Sequence, residues 1–156
     1  MISAYDLFPT LLDLLGIDNR VTQRLPGRSF APVLRGETME SRDEVVVFDE
    51  YGPVRMIRSK THKLVLRYPY GPNEFYDLVA DPDEENNLYD DPAYEEQIVD
   101  MRAHMERWFN DYADPDIDGT RSEVTGLGQL CRPGIYATRR DVFAARKPVE
   151  KPADKK

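Results

Sequence analysis

Four short apolar segments, followed by one long amphipathic stretch, limit this chain to very few folds. The segments run from Val45 to Tyr51, from Val54 to Ser59, from Lys63 to Tyr68 and from Glu74 to Leu78. Only a few residues connect each segment to the next, so neighbouring strands are expected to run in opposite directions as a meander. In the last segment we expect Tyr76 and Leu78 to share one face of the strand, with Asp77 on the other.

A long helix is predicted after these strands. Its apolar side chains recur at three- and four-residue steps, namely Tyr94, Ile98, Met101, Met105, Trp108, Phe109 and Tyr112. Such a stripe packs over the apolar face of a sheet. The sequence therefore predicts an α+β fold, a four-stranded antiparallel meander packed by a long C-terminal helix, with Trp108 facing the sheet.

The first 17 residues predict another helix, of different character. It is apolar on almost every side, through Leu7, Phe8, Leu11, Leu12, Leu14 and Leu15. Only Thr10 and Asp13 interrupt the apolar surface. Because a helix that is apolar all round needs cover all round, we expect it to pack against chain that precedes it in a longer protein, or to self-associate.

Charge and cysteine content narrow the classes of partner. The formal net charge of −8 argues against broad binding to nucleic acid or to anionic membranes. The apolar stretches are much shorter than the ~20 residues of a membrane span, and the first residues do not have the pattern of a signal peptide. The single cysteine, Cys131, excludes a disulfide within the chain, and the compartment stays open.

Several motifs follow one another in order along roughly the first 110 residues. They are Asp6 to Ile17, Pro26 to Phe30, Arg55 to Arg58 with Lys63 to Val65, and Phe75 to Leu78 followed by Asp81 to Glu84 and Asn86 to Leu88. Their order and spacing resemble the C-terminal part of sulfatases of the arylsulfatase and N-sulfoglucosamine sulfohydrolase type. The last group is the sharpest match, and its turn residues indicate a scaffold role.

The resemblance implies a division of the chain into four parts. Residues 1–17 correspond to the last helix of the α/β catalytic domain, and residues 18–43 to a connecting loop. Residues 44–112 correspond to the C-terminal α+β subdomain. From residue 113 to 156 the composition, rich in Gly, Pro, Arg and Lys, predicts an irregular and partly disordered tail.

The resemblance also implies a function for a longer parent protein, the hydrolysis of sulfuric esters or sulfamates. That chemistry uses a formylglycine and a calcium or magnesium ion, which the catalytic domain would hold. Cys131 to Pro133 begins like the formylglycine motif, but Ile135 stands where the motif requires arginine. This chain alone is therefore expected to be inactive, and whether it serves an enzyme is left open.

We expect the chain to buttress the catalytic domain and to close one wall of a pocket for a sulfated small molecule or sugar. Phosphonate and phosphodiester hydrolases share the scaffold, so the bond that is cleaved stays undecided. An alternative is a standalone binding or assembly module, derived from a sulfatase and without activity.

Three residues are candidates for substrate contact. They are His62 at a hairpin turn, Tyr70, which could line a sugar or aryl pocket, and Arg132, whose guanidinium group matches the oxygens of a sulfate. Packing for the tyrosine and a solvated basic tail for the arginine are the alternatives.

One acidic stretch matches the first half of a calcium-binding loop. Asp114, Asp116 and Asp118 alternate along it, and Gly119 follows. The twelfth position of the loop should be a glutamate and is Thr125 instead. An Asp-rich turn at the end of the long helix is the alternative.

Overall fold

The computed structural model describes residues 1–17, 25–49, 53–68 and 70–121 of this 156-residue protein. A single 3₁₀ turn precedes the first helix. The regular elements are α1 (Leu7–Leu14), α2 (Ala31–Leu34), β1 (Val45–Phe48), β2 (Val54–Arg58), β3 (His62–Arg67), β4 (Glu74–Asp77) and α3 (Glu95–Tyr112). No helix in the described ranges has the length and hydropathy that a membrane crossing requires.

The four strands form one antiparallel sheet in the order β1-β2-β3-β4. The pairing places Val46 opposite Ile57, Ile57 opposite Leu64, and Leu64 opposite Phe75. This row of four apolar side chains crosses the whole sheet and is buried. The predicted meander is therefore confirmed.

Helix α3 covers that row with its predicted apolar stripe. The core formed between the two layers consists of Val46, Ile57, Leu64, Leu66, Phe75, Ile98, Met101, Met105 and Phe109. Full burial of a side chain of this size stabilises a fold by about 1.5–3 kcal/mol. Trp108 is only partly buried at the margin of the core, where its ring lies 5.7 Å from that of Phe48 on β1.

The fourth strand was predicted with the wrong face inward. Phe75 is completely buried, whereas Tyr76 points to the opposite face of the sheet and Leu78 lies beyond the strand. The strand ends at Asp77 because the carboxylate of this residue accepts hydrogen bonds from the backbone N–H groups of Val79 and Ala80. Since side chains alternate along a strand, an error of one residue exchanges the two faces.

The segment expected to be a loop contains one helical turn, α2. Pro32 lies in its first turn, where the fixed φ angle of proline favours a helix start. The turn ends in Gly36, which has a φ of 82° and so adopts a conformation that glycine tolerates best. A single turn is too short to produce a recognisable apolar period.

Both edge strands have hydrogen-bond partners on their outer sides. On β1, the backbone N–H of Val46 donates to the hydroxyl of Tyr5 at 3.3 Å. On β4, the N–H of Phe75 donates to the Asn87 side chain, and its carbonyl accepts from the N–H of Leu88 at 2.8 Å. These contacts occupy backbone groups that an exposed edge would offer to another strand.

Candidate functional site

One face of α1 is anchored to the rest of the chain by polar side chains. Asp6 and Thr10 lie four residues apart and therefore on the same side of the helical segment. The Asp6 carboxylate accepts the backbone N–H of Arg28 at 2.8 Å, and the Thr10 hydroxyl accepts that of Phe30 at 3.0 Å. This face thus holds the loop from Pro26 to Phe30 in place.

Asp13 extends the anchored face by one turn. Its carboxylate accepts hydrogen bonds from the Ser29 hydroxyl at 2.7 Å and from the Arg35 guanidinium at 2.8 Å. The bond from Arg35, followed by that from Ser29, holds the pKa of Asp13 below its ordinary value. The carboxylate is therefore ionised at neutral pH and ties α1 to α2.

A buried ion pair lies at the start of this face. The carboxylate of Asp6 is 2.5 Å from the guanidinium of Arg42, and both side chains are buried. Arg42 also donates to the carbonyl of Pro26 at 2.9 Å and lies 5.1 Å from the centre of the Tyr5 ring. Removal of one partner of such a pair leaves an uncompensated buried charge, which costs about 3–5 kcal/mol.

Gly27 lets the loop approach α1 this closely. A Cβ atom at this position would lie 2.1 Å from the carbonyl oxygen of Tyr5. Because that oxygen belongs to the backbone, it cannot move aside as a flexible side chain does. A glycine is thus required by the short distance between the two segments.

On the other face of α1, no such polar partner occurs among the described residues. We call it the docking face and define it as Leu7, Phe8, Leu11, Leu14 and Leu15. These side chains are between 46% and 70% exposed, and at about 100° per residue they all fall on one side of the helix. A group of large exposed apolar side chains is typical of a surface that contacts another protein or domain.

The structure does not bring the described substrate-contact candidates together. His62 packs against the core, with its ring 5.4 Å from that of Phe75, and its Nδ1 lies 2.9 Å from the Thr61 hydroxyl. Tyr70 is 85% exposed at the opposite end of β3, about 20 Å away along the strand. Arg132 lies outside the described residues, and the contact roles of all three stay predictions.

Two of the three aspartates of the predicted calcium loop, Asp114 and Asp118, bind other groups of the chain through their carboxylates. Asp114 accepts the backbone N–H of Asp116 at 2.9 Å, and Asp118 pairs with Arg55 at 2.6 Å. In the described part of the chain, no group of three or more His, Cys, Asp or Glu side chains is arranged to hold a metal ion. The described residues thus offer no set of ligands for the divalent cation of sulfatases, and the calcium role of Asp114, Asp116 and Asp118 stays a prediction.

Comparison with known proteins identifies the family. Residues 1–111 match the sequence profile of the N-sulphoglucosamine sulphohydrolase C-terminal region. The chain belongs to this sulfatase family. The Δ4,5-hexuronate-2-O-sulfatase of Bacteroides thetaiotaomicron is 35% identical to it in an alignment 134 residues long, which covers 81% of this chain and 27% of that protein.

Solved structures have the same fold in their C-terminal regions. One, in complex with its substrate D-glucosamine-2-N,6-O-disulfate, is 26% identical, with a TM-score of 0.58 over 71% of this chain and 24% of that one. A phosphonate monoester hydrolase from Silicibacter pomeroyi is 25% identical, with a TM-score of 0.54 over 70% of this chain and 25% of its own. The chain thus spans about a quarter of the length of these proteins.

In the sharpest motif, from Phe75 to Leu88, the aspartate side chains accept hydrogen bonds from backbone groups of the motif itself. Asp77 accepts two backbone N–H groups in the turn after β4, and Asp81 accepts those of Asn86 at 2.8 Å and Glu85 at 3.1 Å. In each case these bonds are the largest cause of a pKa below the ordinary value for aspartate. The motif shapes a loop, as its turn residues indicate.

Two residues that join α1 to the sheet, Arg42 and Tyr5, were not predicted from the sequence. Arg42 lies in a segment without periodicity, and nothing in the sequence marks it as buried. Tyr5 contacts Arg42, Val46 and Trp108 at once, although it precedes α1 and contributes to no apolar stripe. Asp6, an acid directly before an apolar helix, indicates a helix cap in the sequence and so does not point to a cationic partner.

Proposed function

We propose that this chain is the C-terminal subdomain of a sulfatase-like hydrolase and that it buttresses the catalytic domain of that enzyme. The observation that carries the proposal is the contrast between the two faces of α1. One face is fixed to the chain by Asp6, Thr10 and Asp13, and the docking face is exposed. A helix with one anchored face and one exposed apolar face can connect this subdomain to the catalytic domain.

The same proposal assigns parts of the chain to the two bodies. Residues 1–17 would complete the catalytic domain, residues 18–43 would connect, and residues 44–112 would form the subdomain, with a tail from residue 113. Because each large apolar side chain contributes about 1.5–3 kcal/mol on full burial, covering the half-exposed docking face would contribute roughly 5 kcal/mol. That is comparable with the whole stability of a small domain.

We propose a sulfated sugar as the substrate of the full enzyme, and hydrolysis of a sulfuric ester or sulfamate as its reaction. The sulfated substrates in the names of two relatives support this assignment. The likeness to a phosphonate monoester hydrolase supports a phosphonate ester as the second candidate. The catalytic domain would hold the formylglycine and the calcium or magnesium ion that carry out the hydrolysis. This chain would stabilise that domain.

The test combines the purified chain with a separately expressed catalytic domain from the same reading frame. We expect a complex by size-exclusion chromatography, and turnover of an aryl sulfate that increases when the chain is added. Leu11→Asp with Leu15→Asp should abolish the complex. Val79→Asp is the control, because this side chain is also apolar and, at 71%, as exposed as Leu15 but lies outside the docking face.

A standalone module is the competing proposal, and the anchored face of α1 is the observation that favours it. It predicts a chain that is monomeric at high concentration, with α1 as protected from hydrogen exchange as β3. That result, together with the absence of a complex, would replace the buttress proposal. If the complex hydrolysed a phenyl phosphonate and not the aryl sulfate, only the proposed substrate class would change, and the buttress proposal would stand.

A further inference from the structure

A cleft opens between residues 89–92 and the first two turns of α3. It has a volume of about 330 Å³, at the lower end of the range for sites that bind small molecules. Its apolar lining consists of Pro92, Ile98 and Val99, and Val99 is 61% exposed. The cleft shares no residue with the docking face on α1, so the surface offers a second place for a ligand.

The only basic side chain in the cleft lining is that of Arg102. Its Nη2 donates to the hydroxyl of Tyr89, another lining residue, at 2.7 Å. Its Nε is the one buried side-chain nitrogen or oxygen without a hydrogen-bond partner in the part of the chain that the structure describes. A buried donor of a charged group is stabilised when an acceptor reaches it. Arg102 therefore favours a ligand that brings an oxygen acceptor into the cleft.

Three carboxylates line the same cleft. They belong to Asp90, Asp91 and Glu95, which are all exposed. Ionised carboxylates accept hydrogen bonds only, whereas the guanidinium of Arg102 donates only. Three carboxylates against one guanidinium give the lining a net charge of −2, and such a cleft disfavours anions. A fitting ligand must therefore donate as well as accept hydrogen bonds, and it must not be an anion.

These requirements separate the classes of ligand. A sulfate or carboxylate group would satisfy Arg102, but the three carboxylates would repel it. A lysine or arginine side chain of another protein would pair with the carboxylates, but it would bring a like charge to Arg102 and no acceptor. A hydroxyl group is a donor and an acceptor at once. Several hydroxyls on a ring with an apolar face thus match every part of the lining.

We propose that the cleft binds a sugar unit without an anionic group. Its hydroxyls would donate to Asp90 and Glu95, one of its oxygens would accept from Arg102, and the apolar face of its ring would lie on Val99. A free ammonium group on the sugar would strengthen binding through the carboxylates. This site goes beyond the buttress function and does not depend on it.

The experiment titrates the ¹⁵N-labelled full chain with methyl glucoside, glucosamine, glucose 6-sulfate and lysine. We expect methyl glucoside to shift the amide signals of Glu95, Ile98 and Val99, with a Kd on the order of millimolar for a ligand of this size. Glucosamine should bind roughly fivefold more tightly, the effect of one exposed ion pair. Glucose 6-sulfate and lysine should leave these signals in place at the same concentrations.

Variants assign the binding to the cleft. Arg102→Leu should weaken methyl glucoside binding roughly tenfold or more, since it removes a charged hydrogen-bond donor. Arg107→Leu is the matched control, an arginine of α3 that does not line the cleft, and should bind as the parent chain does. Glu95→Gln is exposed and keeps the side-chain shape, so its loss of the glucosamine preference tests the carboxylates even if Arg102→Leu unfolds. Circular dichroism checks that α3 remains folded.

Three results would overturn the proposal. The first is the absence of shifts at the cleft with both methyl glucoside and glucosamine at about 100 mM, far above the expected Kd. The second is equal affinity of the parent chain, the folded Arg102→Leu variant and Glu95→Gln for both sugars. The third is binding of glucose 6-sulfate or of lysine in place of the two sugars, because the cleft would then select an anion or a protein side chain.

Discussion

The buried pair of Asp6 and Arg42 yields the sharpest prediction from this structure. Arg42→Met keeps most of the side-chain volume and removes the positive charge from a site without solvent. Asp6 would still accept backbone N–H groups from Ser3 and Arg28, both at 2.8 Å. These two bonds partly compensate the carboxylate, so we expect the lower end of the range for a broken buried pair, about 3 kcal/mol.

Two further contacts of Arg42 add to the loss. The carbonyl of Pro26 loses a donor at 2.9 Å, which costs about 1 kcal/mol when the group stays buried. The Tyr5 ring loses a cation at 5.1 Å, worth about 0.5–1 kcal/mol or more. The expected destabilisation is thus about 4.5–5 kcal/mol, a large fraction of the 5–15 kcal/mol that stabilises a typical domain.

Urea unfolding monitored by circular dichroism and by Trp108 fluorescence measures this effect. Trp108 reports on the site because its ring lies 5.7 Å from that of Tyr5. Arg35→Met is the matched control, since its pair with Asp13 is exposed, and such pairs contribute little. A loss of less than about 1 kcal/mol for Arg42→Met would refute the argument that the buried charge needs its partner.

Three other changes test separate parts of the structure. Trp108→Ala should cost about 2–3 kcal/mol in urea unfolding, less than for a fully buried tryptophan, because this ring lies at the margin of the core; a cost below about 0.5 kcal/mol would place it outside the core. Gly27→Ala should cost at least 1–3 kcal/mol, roughly the usual cost of overpacking, because its Cβ meets the backbone of Tyr5; unchanged thermal unfolding would contradict the close approach. The pKa of Asp81 is lowered, so its stabilising effect is present above the unfolded-state pKa and is lost as pH falls through the folded-state value. Asp81→Asn should therefore lower the unfolding temperature at neutral pH and make little difference near pH 2, and an equal effect at both pH values would exclude this titration.

The layers of the fold were predictable from two different patterns. The short apolar segments with brief connections predict the meander, and the three- and four-residue steps along α3 predict the covering helix; both are found in the structure. The inward face of β4 was not predictable with the same security, since Phe75, Tyr76 and Leu78 are all apolar enough to be buried. The register with β3, which pairs Phe75 with the buried Leu64, decides between the two faces.

Of the two faces of α1 that form the candidate site, only the apolar docking face was predictable from the sequence. Sequence alone predicts that α1 is too apolar for solvent; the docking face is exposed in this chain, and its cover by another domain or copy stays a prediction. The anchored half depends on contacts between residues 22 to 36 positions apart, such as Asp6 with Arg28 and with Arg42. A single sequence contains no signal for pairs of this kind, because any surface arginine looks the same until the chain is folded.

The occupied edges of the sheet determine how copies of this chain can assemble. In the described residues, the Tyr5 hydroxyl already binds one backbone group on the outer side of β1, and the Asn87 side chain and the Leu88 N–H bind two on that of β4. Both edges therefore offer less than an open edge to a strand from a neighbour. The docking face is then the main route to association, and two copies that pair through the same face leave no such face for a third. Self-association of the isolated chain is therefore expected to stop at a closed dimer, where an open edge would permit growth into fibres.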